Sequence, residues 1–229
     1  MDACPLINQL KNYWFFKNII FIKPTAHNAD YFSNPTMYND QYAHKKDDFD
    51  FWNKEISEIN NGKIKILELG AGTGRIAKSI LLNNKNVSYY GIDLSKEFVK
   101  DANMMLKDNN LSSSGRVIYG DMASFQFPNK FDMVFIAFNS FLHLTEKKSI
   151  NNCMKCIKDH LLDSGRAYID IFIPNPLLLY RPKGVKAHVM NYQSRSGDTI
   201  IVEEEMDYNN IDNTATIIWN FTNRNTGEI

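Results

Sequence analysis

The chain lacks the features that mark nucleic-acid-binding and disulfide-rich proteins. Its 26 Lys and Arg residues are balanced by 26 Asp and Glu residues, so the formal net charge is zero. Proteins that bind a phosphate backbone need an excess of positive charge, and we therefore expect no nucleic-acid partner. Cysteine is also scarce, with three in 229 residues. This scarcity indicates reduced thiols and a cytoplasmic location rather than a disulfide framework.

The cysteines also lack a zinc-binding pattern. Cys153 and Cys156 lie in a predicted helix, 149–162, at a spacing that places both on one face. No second pair of Cys or His residues follows them at the spacing of a zinc site. We expect both thiols to be core residues, and we predict no metal centre.

Long apolar runs are absent as well. The apolar stretch 14–22 is interrupted by Lys17 and flanked by Lys11 and Lys23, whereas a membrane-spanning helix needs about 20 apolar residues. It also lacks the basic region and the small-residue cleavage site of a secretory signal. We expect no membrane association and interpret the stretch as a helix or strand packed on the domain, with a lid or dimer contact as the alternative.

The chain does show a regular alternation of strands and helices. Its composition, 44% hydrophobic and 23% charged, is typical of a soluble globular domain. The alternation predicts an α/β fold with a doubly wound, mostly parallel sheet. Thr73 and Ser95 signal the starts of the first two core helices. The predicted strands are 64–70, 87–94, 116–120, 131–138 and 165–173, and the predicted helices are 73–83, 95–108 and 146–161.

The most informative segment is ILELGAGTGR at 66–75, where an apolar strand leads into a glycine-rich turn. Glycines at 70, 72 and 74 let backbone N–H groups and a helix N-terminus approach a ligand. Arg75 occupies the position of the third glycine in the dinucleotide fingerprint G-x-G-x-x-G. The segment therefore predicts a nucleotide-cofactor loop that differs from that of dinucleotide-binding proteins.

Polar residues recur where the predicted strands end. Asp93 closes the second strand about 20 residues after the glycines, the spacing of a ribose-binding carboxylate. Asp121 follows the third strand, and Asn139 and His143 follow the fourth. Because ligands bind outside the carboxyl ends of parallel strands, we expect these residues to converge on one crevice.

The pattern changes after Ile173. Prolines at 174, 176 and 182 precede two β-rich runs, 199–207 and 214–222, which predict an antiparallel hairpin. The hairpin either completes the parallel sheet or forms an added sheet over the substrate pocket, and we favour the second arrangement. That arrangement leaves strand 165–173 as an exposed edge, which a partner chain, a second copy or the N-terminal segment would cover.

Four segments together resemble the class I S-adenosylmethionine-dependent methyltransferases: ELGAGTG at 68–74, GIDL at 91–94, GDM at 120–122 and FDMV at 131–134. The resemblance covers about residues 30–175. It implies a Rossmann-like sheet of the class I type, with S-adenosylmethionine as the cofactor. The division that we expect is a helical cap over the cofactor at 1–60, a cofactor-binding core at 61–175 and the hairpin region at 176–229.

The resemblance also implies a role for each matching residue. Gly70, Gly72 and Gly74 would pass under the methionine and ribose parts of the cofactor, and Glu68 would order their loop. Asp93 would accept both ribose hydroxyls. The remaining cofactor contacts that we expect are Leu94 and Met122 on the adenine faces, Asp121 at its amino group, and Tyr38, Arg75 and Phe138.

The loop after the fourth strand is similar to that of small-molecule N-methyltransferases of the glycine and amino-sugar type. It reads Asn139-Ser-Phe-x-His143-Leu and differs from the Asn/Asp-Pro-Pro-aromatic stretch of adenine-methylating DNA enzymes, which disfavours base methylation. Asn139 would position the acceptor, and His143 is either a base or a histidine that shapes the loop. The segment 31–52 resembles the helices that such enzymes fold over the cofactor. Aromatic residues that could line the acceptor pocket are Tyr31, Phe32, Tyr38, Tyr42 and Phe141.

These observations predict methyl transfer to a small-molecule acceptor, an amine by preference, by in-line displacement. An amine needs only to be neutral, whereas a hydroxyl acceptor needs a base such as His143. Three alternatives stay open: an O-methyltransferase, a non-catalytic partner subunit of methyltransferase type, and a nucleotide-binding oxidoreductase, which Arg75 disfavours.

Overall fold

The structure is a computed structural model that describes residues 19–23, 31–59, 62–172, 175 and 179–227. In chain order, its helices and strands are β1 (Phe21–Lys23), α1 (Pro35–Gln41), α2 (Phe49–Ser57), β2 (Ile64–Leu69), α3 (Arg75–Asn83), β3 (Val87–Asp93), α4 (Lys96–Asp108), β4 (Gly115–Tyr119), β5 (Phe131–Ile136), a 3-10 turn (Ser140–His143), α5 (Lys147–His160), β6 (Leu161–Ile169), β7 (Ala187–Gln193), β8 (Thr199–Asn209) and β9 (Thr214–Asn223).

The core is a five-stranded sheet in the order β4-β3-β2-β5-β6, and every neighbouring pair is parallel. Each residue of β5 is buried, as expected for a strand that is covered on both faces of a parallel sheet. The predicted α/β fold with a doubly wound parallel sheet is therefore confirmed.

Helices cover both faces of this sheet. On one face, Trp52 and Ile56 of α2 join Ile80 of α3 in an apolar cluster with inward-facing residues of the sheet. On the other face, Cys153 and Ile157 of α5 belong to a second cluster. The amphipathic pattern of each helix thus accounts for its position, because its apolar side is the side that it buries.

The remaining strands form a second, separate sheet in the order β1-β9-β8-β7. The pairs β7–β8 and β8–β9 are antiparallel, and β1 runs parallel to β9. The predicted hairpin therefore forms an added sheet and does not complete the parallel one. We did not predict β7. In the apolar stretch at 14–22, Ile19 and Ile20 are buried and β1 begins at Phe21; residues 14–18, like Cys4, lie outside the described residues.

Several predicted boundaries are wrong. Strand β5 ends at Ile136 and β6 at Ile169, earlier than predicted, and two elements start elsewhere for local reasons. Helix α3 begins at Arg75, after Gly74 in a left-handed conformation (φ +82°), and not at Thr73. The Thr73 hydroxyl donates instead to Asn39 Oδ1 at 2.5 Å. Strand β6 begins at Leu161 because it pairs with Phe131 before an irregularity in the ladder.

One edge of the parallel sheet is β6, which has no strand partner on its outer side within the described part of the chain.

Both cysteines of the predicted pair are free thiols; Cys153 is buried and Cys156 is half-buried. Among the described residues, no group of His, Cys, Asp or Glu has the arrangement of a metal site. No helix in the described ranges is long and apolar enough to cross a membrane.

Candidate active site

The glycine-rich turn after β2 has three left-handed glycines, with φ of +77° at Gly70, +57° at Gly72 and +82° at Gly74. A Cβ at Gly70 would lie 2.6 Å from Ser140 Cβ, and one at Gly74 would lie 2.7 Å from Met105 Cε. A Cβ at Gly72 would find Tyr38 Oη as its nearest neighbour, at 4.0 Å. The outer two glycines thus permit close packing, whereas Gly72 keeps open the space above the turn.

That space belongs to a cavity of about 530 Å³ at the carboxyl ends of β2, β3 and β4. Its size is that of a small-molecule or cofactor site. The predicted residues that line it are Tyr38, Gly70, Gly72, Asp93, Leu94, Met122 and His143. Parallel strands place their carboxyl ends along one edge of a sheet, which is why residues so far apart in sequence meet there.

Asp93 lies at the end of β3 and is held by two backbone bonds. Its Oδ2 accepts from Gly72 N at 2.8 Å, and its Oδ1 accepts from Ser95 N at 2.8 Å. Burial raises the pKa of Asp93 above its usual value, and these backbone bonds oppose the rise. The carboxylate is therefore oriented toward the cavity before any ligand arrives.

Leu94 and Met122 give the cavity an apolar wall. Leu94 is 60% exposed although it is a large apolar residue, and it lines the cavity together with Ile92 and Met122. An exposed leucine in a concave site leaves apolar surface for a flat ligand to cover.

Five predicted cofactor residues do not line this cavity: Glu68, Gly74, Asp121, Arg75 and Phe138, the last of which lines a smaller cavity described below. Glu68 is buried beneath the turn, where it accepts from Tyr89 Oη at 2.5 Å, and burial raises its pKa to about 8. Gly74 begins α3. Asp121 lies beside the cavity residues Gly120 and Met122, but its Oδ1 accepts from Ala123 N at 2.7 Å and closes a local turn.

Arg75 is the fourth. Its two terminal nitrogens donate to the two carboxylate oxygens of Asp48, each at 2.7 Å, and Nη1 also donates to Lys45 O at 3.0 Å. The guanidinium lies over the rings of Phe49 and Phe138. The arginine that replaces a glycine of the dinucleotide fingerprint thus joins the core to the segment before α2.

A smaller cavity of about 160 Å³ adjoins the large one. Phe32, Tyr38, Ser140 and His143 line both. Among the described residues that line the small cavity, none is an Asp, Glu, Lys or Arg. Its walls are mainly aromatic and include the rings of Tyr31, Phe32, Tyr38, Tyr42, Phe138 and Trp219.

His143 stands between the two cavities. Its ring meets that of Phe32 edge to face, with 5.5 Å between centroids, and its ring nitrogens have no hydrogen-bond partner among the described residues. Burial lowers the pKa of His143, so the neutral imidazole is favoured at neutral pH. A neutral imidazole without a hydrogen-bond partner, on the wall of a cavity, can accept a proton.

Asn139 and Phe138 form a strained corner after β5. Both have left-handed backbones, with φ of +66° and +50°, which non-glycine residues rarely adopt. Asn139 Oδ1 accepts from Phe172 N at 2.6 Å, and Phe138 N donates to Asp170 Oδ2 at 3.0 Å. Both residues line the small cavity and not the large one. Such strain often accompanies functional sites.

The cap segment is tied over the site by polar contacts. Asn39 Nδ2 donates to Asp101 Oδ2 at 2.8 Å, while Ser95 Oγ donates to Phe32 O at 2.6 Å. On the other side, Arg195 in the β7–β8 turn donates to both carboxylate oxygens of Asp40. Helix α1 is thereby held between the parallel sheet and the added sheet, with Tyr38 facing both cavities.

Sequence reasoning missed part of each cavity. In the large cavity, Ser95 was predicted only as a helix start, although it also anchors Phe32. In the small cavity, Ile217 and Trp219 of β9 were missed because no motif marks them. Of the aromatic residues expected at the acceptor pocket, Phe141 is instead a buried core residue.

Residues 66–165 match a family model described as a methyltransferase domain. No curated protein matches the chain by sequence. Solved structures that share the fold include the CcbJ methyltransferase from Streptomyces caelestis. It is 20% identical with a TM-score of 0.63, and the alignment covers 84% of this chain and 78% of that one.

Two further solved structures carry functional descriptions in their names. The sugar N-methyltransferase KedS8 from Streptoalloteichus sp. ATCC 53650 is 17% identical with a TM-score of 0.58, covering 81% of this chain and 76% of that one. CalS10, an amino pentose methyltransferase from Micromonospora echinaspora solved with S-adenosylmethionine bound, is 14% identical with a TM-score of 0.58, covering 86% and 80%.

The fold is therefore that of the class I methyltransferases, and the matched segment contains the glycine turn and Asp93. The family match adds the class of activity. This match over 66–165 indicates an enzyme that transfers methyl groups.

Proposed function

We propose that the enzyme methylates an amine nitrogen of a small molecule that binds in the aromatic cavity. The main observation in support of this proposal is that the small cavity lies beside the large one and shares Tyr38, Ser140 and His143 with it. S-adenosylmethionine supplies a methyl group on a sulfonium when it is bound. The fit of the large cavity to this cofactor is supported by the open space above Gly72 and by the oriented carboxylate of Asp93.

The lining of the small cavity supports an amine acceptor. Tyrosine, tryptophan and phenylalanine faces attract cationic and partly charged nitrogen groups. Within the described lining, no carboxylate competes for such a group and no Lys or Arg repels it. In this proposal the aromatic walls hold the acceptor, and Asn139 and Tyr38 orient it toward the large cavity.

His143 then takes the acceptor's proton. Its lowered pKa keeps the ring neutral at neutral pH, and its position on both cavities places it beside the reacting nitrogen. The same position favours a second candidate function, O-methylation, in which His143 would take a hydroxyl proton. The amine is preferred because a proton is more easily removed from an ammonium than from an alcohol. The sugar and amino-pentose methyltransferases that share the fold add support to this choice.

The proposal is tested by transfer of a radiolabelled methyl group to a panel of amines, amino sugars, alcohols, RNA and protein. We expect label in the amines and amino sugars, with the site of methylation read by mass spectrometry. Labelling confined to RNA or protein would refute a small-molecule acceptor. Labelling of alcohols alone would establish the O-methyltransferase.

A further inference from the structure

Arg181 is a buried arginine whose hydrogen bonds are incomplete. Its side chain is 8% exposed, and Nη2 donates to Glu204 Oε1 at 2.9 Å. The other two nitrogens, Nε and Nη1, are buried and have no hydrogen-bond partner among the residues that the structure describes. Buried polar groups are almost always paired, and leaving such donors unpaired is costly. This arginine therefore calls for a partner beyond Glu204.

The arginine lies beside the wall of the small cavity. Glu204 on β8 and Trp219 on β9 are directly opposite each other in the antiparallel ladder, so their side chains share one face of the added sheet. Trp219 lines the small cavity, and its indole Nε1 is also buried, with no partner in the described part of the chain. Arg181, through its partner Glu204, and Trp219 therefore lie on the same face of the added sheet.

We propose that Arg181 and Trp219 form a donor subsite that binds an uncharged oxygen, a hydroxyl or carbonyl, of the methyl acceptor. This inference rests on the proposed function. It restricts the acceptor to a small amine that also carries such an oxygen, as an amino alcohol or an amino sugar does. The aromatic walls contact the carbon frame and the nitrogen, and the donor subsite contacts the oxygen.

Charge explains why the oxygen is uncharged. Glu204 is only 17% exposed and already neutralises the Arg181 guanidinium. A carboxylate or phosphate placed here would bring a second negative charge close to Glu204 in a poorly solvated site. A neutral oxygen accepts the unused N–H groups without that repulsion.

Access to the donors requires a movement of one side chain. Both sets of donors are closed to solvent, so the acceptor oxygen reaches them through a rotation of the Trp219 indole. The ring is packed edge to face on Tyr31, with 4.9 Å between centroids. We expect a hydroxylated acceptor to change the fluorescence of Trp219. The contribution of Trp219 is the part of the wild-type fluorescence that Trp219→Phe lacks.

The test compares two probes of nearly equal shape, trans-2-aminocyclohexanol and cyclohexylamine. Trp219→Phe removes the indole N–H together with one of the two fused rings, and keeps an aromatic ring in the wall. Arg181→Lys keeps a positive charge for Glu204 and removes the unpartnered nitrogens. For each variant we expect KM for the amino alcohol to rise about tenfold more than KM for cyclohexylamine, which corresponds to the loss of one hydrogen bond. Trp52→Phe is the control, because it removes an equally unpartnered N–H from the core.

The outcomes separate this inference from the proposed function. If both probes are methylated and Trp219→Phe and Arg181→Lys raise neither KM selectively, the donor subsite is refuted while the function stands. If 2-aminocyclohexanecarboxylate is strongly preferred over the amino alcohol, and the preference is lost in Arg181→Lys, the uncharged oxygen is refuted. If neither probe nor any other amine is methylated, although S-adenosylmethionine binds, the proposed function itself fails. Should Arg181→Lys not fold, Trp219→Phe alone decides the matter.

Discussion

Gly72 and Asp93 are joined by a hydrogen bond in which the backbone N–H of Gly72 donates to Asp93 Oδ2 at 2.8 Å. The bond connects the glycine turn after β2 to the end of β3, so the floor and the side of the large cavity are held together. It also fixes which lone pairs of the carboxylate remain for a ligand.

The first prediction concerns the carboxylate. Asp93→Ala should weaken S-adenosylmethionine binding at least tenfold, because charge-assisted hydrogen bonds contribute roughly 1.5–3 kcal/mol each. Isothermal calorimetry measures the affinity, and circular dichroism checks that the variant is folded. Asp93→Asn keeps the shape of the side chain and one acceptor oxygen. Its affinity for S-adenosylmethionine should therefore lie between those of the wild type and Asp93→Ala. Unchanged affinity in Asp93→Ala would remove this residue from the cofactor site.

The second prediction concerns the open space above the turn. Gly72→Val should abolish cofactor binding, because its side chain would project toward the large cavity, where the nearest atom to a Cβ is 4.0 Å away. A left-handed valine also strains the backbone. Gly184→Val is a matched control, since Gly184 has φ +78° and a Cβ at that position would meet no atom within 4 Å.

Both variants should therefore lose similar stability in thermal unfolding, and only Gly72→Val should lose the stabilisation that S-adenosylmethionine confers. A thermal shift of normal size in Gly72→Val would mean that the glycines serve the turn alone.

The third prediction concerns His143 and pH. Because burial lowers its pKa, the native state favours the neutral ring, and the unfolded state protonates first as pH falls. Stability is therefore full above the unfolded pKa of about 6.5 and declines as pH falls through that value. The methylation rate should also fall on the acid side, with an apparent pKa below about 6.5.

Replacing His143 with Ala should remove the acid limb of the rate profile and lower kcat while cofactor affinity is retained. A variant that keeps the wild-type profile and loses only stability would assign His143 to loop structure instead.

The site residues that could be predicted from the sequence are those that lie at the carboxyl end of a predicted strand, because that strand alone determines where they are. The glycine turn and Asp93 sit at carboxyl ends of adjacent parallel strands, so a local motif is enough to bring them together. Trp219 and Tyr31 meet through packing between distant segments, and no local pattern encodes that contact. Arg75 shows the same limit. Its position in the glycine-rich segment argued against a dinucleotide, but its ion pair could not be predicted, because its partner, Asp48, lies 27 residues earlier in the chain.

The fourth prediction concerns the pair of Arg75 and Asp48, whose side chains are 17% and 13% exposed. Arg75→Met should lower the free energy of unfolding by about 2 kcal/mol or more, because it leaves a poorly solvated carboxylate without its partner. Adding Asp48→Leu should recover part of that loss. A double-mutant cycle by urea unfolding measures the coupling.

The exposed pair of Lys155 and Asp159 is the control for that cycle, and it should show no measurable coupling. Additive effects at Arg75 and Asp48 would mean that the ion pair does not hold the cap segment to the core.

The fifth prediction follows from Glu68, which burial keeps protonated up to a pKa of about 8. The unfolded chain ionises this group near its ordinary value of about 4.3, so between these limits the native state binds the extra proton. Stability should therefore fall as pH rises through this window, by about 1.4 kcal/mol per pH unit, and level off above the folded pKa.

Glu68→Gln should remove this slope and be the more stable protein at pH 8. Tyr89→Phe should extend the slope to higher pH, because the Tyr89 hydroxyl bond is what lowers the pKa of Glu68. Urea unfolding from pH 5 to 9 measures all three proteins, and equal slopes in wild type and Glu68→Gln would show that Glu68 is ionised in the fold.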